Sequence, residues 1–335
     1  MDKTIRIAHG SGGKLTHELI ESVFKKHFSN NFLMQGNDSA IFNVPNKKLA
    51  FTTDSFVITP IFFKGGDIGR LSVCGTVNDL VSAGAKPLFL SCGFIIEEGL
   101  LTSDLEKIAE SLGRTATACG VKIVTGDTKV VQKGACDKLF INTSGIGSII
   151  EGVEVSGSNA RAGDVVIISG DIGDHGCSIM VEREKLNIKT ELESDCAPLN
   201  SMIEGLLGIT KNIHVLRDPT RGGVATTLNE IAFQSKVGIK IIEENLHIKS
   251  QVKGICSILG MDPLYMANEG KMIIIAPKTE ESLILSKLKE YREGIDSFTA
   301  GYITEEHPKR VVMNTITGGS RIIDMLTGDQ LPRIC

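Results

Sequence analysis

The chain has 335 residues, of which 41% are hydrophobic and 23% are charged, and its formal net charge is −4. The length suggests two domains, and the composition is ordinary for a soluble globular protein. Because the 36 lysines and arginines form no basic block, and no apolar run approaches the ~20 residues of a membrane helix, neither nucleic acid nor a membrane is an expected partner. The amino terminus lacks the apolar core of a signal peptide and the eight cysteines include no C-x-x-C pair, so we expect a reducing, cytoplasmic setting.

A glycine-rich loop lies close to the amino terminus, at residues 8–14 (AHGSGGK). Backbone amides in such a loop can approach an anion closely, so Gly12, Gly13 and Lys14 are candidate contacts for a nucleotide phosphate. A flexible leader would have the same sequence character. The loop is not a Walker A motif, because the spacing of its glycines and its lysine does not match that pattern.

The predicted elements mix helices and strands in both halves, which indicates an α/β protein. Strands are predicted at 40–44, 49–53, 88–96, 121–131, 139–149, 165–169 and 272–276, with short ones near 311 and 322. Helices are predicted at 15–28, 66–83, 102–119 and 224–233, and one near Cys177. Residues 152–163 contain few large apolar side chains and are predicted to join the domains. The predicted division is an amino-terminal segment (1–35), a first domain (36–150), a linker (151–164), a second domain (165–320) and a tail (321–335).

Four acidic residues of the first half stand at the ends or breaks of predicted elements: Asp38, Asp54, Asp79 and Asp127. Lys129 lies two residues after the last of them. A single acid in a turn is usually a turn former or a helix cap. Four such acids beside glycine-rich loops favour a functional site instead, because carboxylates at the ends of strands and helices can hold Mg²⁺ against nucleotide phosphates.

The second half adds two candidate segments. In RDPTRGGV (217–224), the Gly222-Gly223 pair precedes a predicted helix, whose first amides could bind an anion, and Asp218 and Arg221 stand beside it. In NEGK (268–271), Glu269 stands at the entrance of a predicted strand, where a solvated loop acid is the ordinary alternative.

The chain ends on a cysteine, Cys335, after Pro332. A chain end is usually mobile, so this thiol is expected to be mobile and exposed. One interpretation is that a cysteine stands at this position by accident and has no function there. The other is a carrier arm, whose eleven residues after Asp324 could reach at most about 35–40 Å when fully extended.

Taken together, these segments make the sequence similar to the HypE family of hydrogenase maturation proteins. That family belongs to a superfamily named for aminoimidazole ribonucleotide synthetase, with the PurM-like fold, which also includes selenophosphate synthetase and thiamine-phosphate kinase. The matching stretches cover both halves in order: AHGSGGK (8–14), TDSFVITPIFF (53–63), GTVNDLVSAGA (75–85), SCGFIIEEG (91–99), VTGDTKVVQ (124–132), DKLFINTSG (137–145), GDHG (173–176), RDPTRGGV (217–224), ANEGK (267–271) and PRIC (332–335). The terminal PRIC is the feature most specific to this branch.

The resemblance implies a two-domain α/β protein whose first domains pair into a β-barrel at a homodimer interface, with ATP bound beside it. It implies that a carbamoyltransferase, HypF, loads a carbamoyl group onto Cys335. ATP then drives its dehydration to an S-cyanate, and the cyano group passes to iron on a HypC–HypD scaffold.

The resemblance also implies roles for the candidate residues. Mg²⁺ and the phosphates of ATP would be bound by Asp38, Asp54, Asp79 and Asp127, with Asp218 and the glycine pair facing them. Lys129 would polarise the carbamoyl oxygen or the phosphate, and Glu269 would act as the general base on the carbamoyl nitrogen.

Two alternatives remain open at this stage. One is a sister enzyme of the superfamily that phosphorylates a small metabolite and does not use Cys335. The other is a carrier in which ATP only positions the tail and a partner performs the chemistry.

Overall fold

A computed structural model of the chain describes residues 13–19, 40–44, 47–184, 188–326, 328 and 333–335. Gly12, Asp38 and Pro332 lie outside the described residues, as does the predicted helix 15–28 beyond Leu19, where the described helix α1 (Lys14–Leu19) ends. No helix among the described residues is long and apolar enough to cross a membrane.

The first half contains a five-stranded sheet covered by two helices. The strands are β1 (Ala40–Val44), β2 (Lys47–Phe56), β5 (Ala85–Glu97), β6 (Lys122–Val131) and β7 (Leu139–Ile149), in the order β1-β2-β7-β5-β6. All neighbouring strands are antiparallel except β5 and β6. A short hairpin of β3 (Phe62–Phe63) and β4 (Gly66–Asp67) precedes helix α2 (Ile68–Ser82), and helix α3 (Thr102–Ala118) follows β5.

Helix α2 is buried on almost every side, because it packs against the first sheet on one face and against elements of the second half on another. The sequence predicts this helix from residue 66, but it begins at Ile68, since Asp67 closes the hairpin and its carboxylate accepts hydrogen bonds from the amides of Gly69 and Arg70.

The opposite face of the first sheet is not covered by any of the described residues. Every residue from 122 to 130, which is nearly all of β6, is exposed, and apolar side chains such as Val124 (58%) and Val130 (67%) are among them. An apolar face of this kind is typical of a surface that meets a partner. The dimer itself stays a prediction.

The second half contains a seven-stranded sheet in the order β14-β13-β10-β12-β8-β11-β9. Its strands are β8 (Asp164–Ile168), β9 (Val215–Arg217), β10 (Gly238–Ile242), β11 (Ile273–Pro277), β12 (Phe298–Thr304), β13 (Val311–Asn314) and β14 (Ser320–Ile323). Its helices are α4 (Asp174–Arg183), α5 (Asn200–Ile209), α6 (Gly223–Ser235), α7 (Ser250–Leu259) and α8 (Glu281–Leu288). Strands β8 and β11 are almost entirely buried, and their side chains alternate between two apolar clusters, one on each face of the sheet. The mixed α/β architecture agrees with the sequence prediction.

Candidate functional site

Residues from both halves of the chain and from its last position enclose one cavity of about 210 Å³. Its lining residues are Thr53, Asp54, Gly75, Asp79, Asp218, Thr220, Arg221, Glu269 and Cys335. Four of the lining side chains are carboxylic acids and one is a guanidinium, so negative charge predominates around it.

The first half supplies Asp54 from the end of β2 and Asp79 from the last turns of α2. The hydroxyl of Thr52 donates to Asp79 Oδ2 at 2.7 Å, which fixes this carboxylate across the strand–helix contact. The close approach of α2 to β2 requires Gly75, because a Cβ there would lie 2.9 Å from the ring of Phe56. A glycine in the middle of a helix is otherwise unfavourable, so packing determines this position.

The second half supplies Asp218, Thr220 and Arg221 from the loop between β9 and α6. This loop turns sharply at Gly222 and Gly223, which have positive φ angles of 75° and 60°. A Cβ on Gly223 would lie 2.5 Å from each of two backbone carbonyl oxygens, so no larger residue fits this turn.

The glycine pair is predicted to bind phosphate through outward-facing amides. In the structure, its observed contacts are those of a tight turn. The amide of Gly223 donates to the carbonyl of Thr220 at 3.0 Å, so it is used within the turn. Neither glycine lines the cavity. The pair shapes the loop that presents Asp218 and Arg221, and phosphate binding there stays a prediction.

Glu269 is held at the cavity by its neighbours in the loop before β11. The buried Asn268 side chain donates to the carbonyls of Pro219 and Met266, each at 3.0 Å, and so joins this loop to the one that carries Asp218. The amide of Glu269 donates to Asp195 Oδ1 at 3.0 Å. The position of Glu269 is therefore fixed through its backbone.

The carboxylic acid of Glu269 is only 2% exposed, and its Oε1 has no hydrogen-bond partner among the described residues. Burial raises its pKa well above the usual value, and nearby Cys196, Asp218 and Asp54 raise it further. A buried acid with an oxygen that has no hydrogen-bond partner is costly for folding, and this is the pattern expected of a functional group rather than a structural one.

Arg221 is the only basic residue among the described residues that line the cavity. Its Nη2 lies 4.0 Å from Asp54 Oδ1. Burial raises the pKa of Asp54, while Arg221 and the amide of Ser55 oppose that rise. The proximity of Cys335 and of three of the cavity's carboxylates raises the pKa of Arg221. The guanidinium is therefore the fixed positive charge of the site.

The tail ends inside this cavity, so the expectation of an exposed thiol is wrong. Ile334 is 3% exposed and packs into the first-half core, and Cys335 is half-buried against the same cluster. The amide of Val57 donates to the terminal Cys335 oxygen at 3.1 Å, so the last residue is held by main-chain contact. Burial raises the pKa of the Cys335 thiol, and Arg221 partly offsets the effect.

The cavity offers only a few side chains that could bind Mg²⁺ and the phosphates of ATP. No group of three or more His, Cys, Asp or Glu side chains that could hold a metal occurs in the described ranges. Two of the predicted metal ligands, Asp54 and Asp79, do line the cavity. Mg²⁺ commonly takes one or two carboxylates, with water and substrate phosphates completing its coordination. The excess of carboxylates and the orphaned Glu269 Oε1 fit a site that receives a cation with an anionic substrate.

The other predicted residues that the structure describes do not line the cavity. Asp127 and Lys129 form an ion pair of 3.2 Å on the outer strand β6, where both side chains are 69% exposed. Lys129 holds the pKa of Asp127 below its usual value. The amide of Lys14 donates to the carbonyl of Leu326, and neither Gly13 nor Lys14 lines the cavity.

Two residues that matter here were given no role from the sequence. Arg221 was noted beside Asp218 at the predicted anion site, but without a function of its own. His175, in GDHG, contacts the tail from 159 residues away, and no local pattern reports such a contact.

Comparison with known proteins identifies the family of the chain. The family models AIR synthase related protein, N-terminal domain and C-terminal domain, match residues 36–149 and 161–314. The chain is 46% identical over 332 residues to a carbamoyl dehydratase HypE from Rhizobium leguminosarum bv. viciae, covering 99% of this chain and 95% of that protein.

Two solved structures are also similar. A HypE–HypF complex has 50% identity and a TM-score of 0.88, covering 92% of this chain and 99% of that one. A HypE in complex with ATP has 48% identity and a TM-score of 0.84, covering 99% of this chain and all of the other. The chain therefore belongs to the HypE family of carbamoyl dehydratases, within the AIR synthase related fold.

Proposed function

We propose that this chain catalyses the ATP-dependent dehydration of a carbamoyl group carried on Cys335. The thiocarboxamide on sulfur becomes an S-cyanate, which supplies the cyanide ligands of the iron centre of [NiFe]-hydrogenase. The observation that carries the proposal is the thiol of the last residue standing in a cavity lined by four carboxylic acids and one arginine.

The chemistry requires activation of the carbamoyl oxygen. Hydroxide is a poor leaving group because the pKa of water is near 15.7. The second pKa of a phosphate monoester is about 6, so transfer of the γ-phosphate to this oxygen makes it a much better one. Loss of phosphate and of two protons from nitrogen leaves S–C≡N, and the balance is thiocarboxamide plus ATP to S-cyanate, ADP and phosphate.

The lining residues suit these steps. Arg221 supplies the positive charge that an oxygen gaining negative charge needs. Glu269, once ionised, is a stronger base than an ordinary carboxylate because its environment raises its pKa, and it takes the protons from nitrogen. Asp54 and Asp79 would hold Mg²⁺, which supplies charge neutralisation for the phosphates when bound.

The cavity suits the reacting end of the tail rather than the whole nucleotide. Its 210 Å³ is below the roughly 300–1,000 Å³ of ordinary small-molecule pockets. We propose that the terminal phosphates of ATP reach it, and that the remainder of the nucleotide lies beside it.

Partner contacts form part of the same proposal. HypF would load Cys335, and a HypC–HypD complex would accept the cyano group. A homodimer built on the open face of the first sheet would place Asp127 and Lys129 at the junction of two chains, where Lys129 could act on the carbamoyl oxygen or phosphate.

Intact-mass spectrometry tests the reaction. The protein is incubated with its carbamoyl donor system and then with Mg-ATP, beside Cys335→Ser and Glu269→Gln. We expect the wild type to gain a carbamoyl mass and to lose one water only with ATP, while Cys335→Ser stays unmodified and Glu269→Gln stops at the carbamoyl adduct. An adduct that never loses water in the wild type would favour a carrier without dehydratase activity. Full dehydration by Glu269→Gln would remove that residue from the role of base.

A further inference from the structure

The seated tail is held by contacts from residues 57–59 and from His175, which lie in two separate segments. The amide of Val57 donates to the terminal oxygen of Cys335, and the amide of Thr59 donates to the carbonyl of Arg333 at 3.3 Å. Between these two, the carbonyl of Ile334 accepts a hydrogen bond from His175 Nε2 at 2.7 Å. This carbonyl belongs to the peptide unit that carries the Cys335 amide, so His175 contacts the tail one residue from the thiol.

The contact fixes the tautomer of His175. A carbonyl oxygen only accepts, so Nε2 carries the hydrogen. Nδ1 lies 2.7 Å from the hydroxyl of Ser194, which therefore donates to it in the neutral ring. The same hydroxyl accepts from the amide of Cys196 at 3.0 Å. A continuous chain of donors runs from the Cys196 amide through Ser194 and His175 to the tail.

The surroundings of His175 allow it little freedom. The ring is fully buried and meets the edge of Phe63 at a centroid distance of 5.7 Å. Burial lowers its pKa, which keeps the ring neutral near pH 7. A buried, neutral imidazole with both nitrogens bonded is a rigid support, because neither bond can be exchanged for water.

We propose that His175 is a positioning residue that seats the loaded tail during dehydration, through its hydrogen bond to the carbonyl of Ile334 and its orientation by Ser194. This inference rests on the proposed function, since the seated thiol must be the one that carries the substrate. His175 does not line the cavity and does not touch the reacting atoms. His175 instead sets the fraction of molecules in which Cys335 lies at the cavity.

Accessibility of the thiol gives a direct test that needs neither ATP nor a carbamoyl group. Six of the eight cysteines are buried, and besides Cys335 only Cys136 is half-exposed, so a Cys136→Ser background isolates the tail. In that background we expect His175→Phe to increase the rate at which Cys335 reacts with a maleimide by about tenfold to a hundredfold, since a buried carbonyl loses its partner. His175→Gln, whose amide can donate to the same carbonyl, should restore slow labelling in part.

The chemical step gives the second readout. With carbamoylated protein in a single turnover, His175→Phe should slow the loss of water by a similar factor, while the rate of carbamoyl loading stays equal or rises. Should His175→Phe fail to fold, Ser194→Ala tests the same chain of donors, with a smaller increase in labelling expected.

His214→Phe is the matched control. This histidine is also mostly buried and hydrogen-bonded, to Asp164 at 2.8 Å, but it contacts neither tail nor cavity. Labelling that is unchanged in both His175→Phe and Ser194→Ala would overturn the proposal, as would an equal increase in His214→Phe. If the wild type never dehydrates its adduct, the proposed function fails while the labelling result still decides the seating role.

Discussion

Replacing Glu269 by glutamine should change how stability depends on pH. The unfolded chain loses this proton near the ordinary value of 4.5, whereas the folded chain keeps it to a much higher pH. Above pH 4.5 the folded state therefore binds more protons than the unfolded state, and the free energy of unfolding falls as pH rises. The loss is at most about 1.4 kcal/mol per pH unit and ends at the folded pKa.

Glu269→Gln removes this dependence, because glutamine does not titrate. We expect the melting temperature of the variant, relative to wild type, to increase steadily from about pH 5 to about pH 8. The conversion is about 2 °C for each kcal/mol in a chain of this size. The trend with pH is the diagnostic, since the constant cost of burying an amide shifts every point equally.

Differential scanning fluorimetry across this pH range measures the effect. Glu305→Gln, at an exposed position, serves as the control and should give a flat difference. A flat difference for Glu269→Gln as well would mean that Glu269 is already ionised in the folded chain. The argument that burial raises the pKa of Glu269 would then be wrong.

Three further substitutions test the electrostatics and packing of the site. Arg221→Met removes the guanidinium that lowers the pKa of Cys335, so the pH profile of Cys335 alkylation should move to higher pH, and an unmoved profile would contradict the contact. Lys271→Met leaves the buried carboxylate of Asp195 without the ammonium group that lies 3.4 Å away. We expect urea titrations to show a free energy of unfolding lower by about 3–5 kcal/mol. A loss below about 1 kcal/mol would show that the ion pair is solvated. Gly75→Ala inserts a methyl group between α2 and β2 and should cost about 1–3 kcal/mol, whereas an unchanged melting temperature would mean that the helix shifts freely.

Local chemistry in the sequence was enough to predict several elements. Strand β1 was predicted with its observed bounds, and α3 to within one residue, because alternation and helical periodicity act over a few residues. Asp54 and Asp79 were nominated because acids at the breaks of apolar elements are visible in the sequence, and both line the cavity. Helix α5 and the three-residue strand β9 were not predicted, since the latter pairs only at a sheet edge and is too short to show a period.

Features that depend on contacts between distant segments were not predictable in this way. The tail was expected to be exposed because it is short and has few apolar residues. In the structure, Ile334 packs into a core built largely from the first half. Lys129 lies on the exposed strand β6 and not at the cavity, so its predicted role would need a second chain. The docking of a chain end leaves no periodic signal in the sequence, and the pairing of two chains would leave none either.

The way in which Cys335 is bound at the cavity limits what can be added to this end of the chain. Because the terminal oxygen of Cys335 accepts the amide hydrogen bond of Val57 within a cavity of about 210 Å³, an added residue would have to enter that space or pull the thiol out of it. A residue appended after Cys335 should therefore disturb the cavity as a substitution of one of its lining residues would. An affinity tag on this protein belongs at the amino terminus.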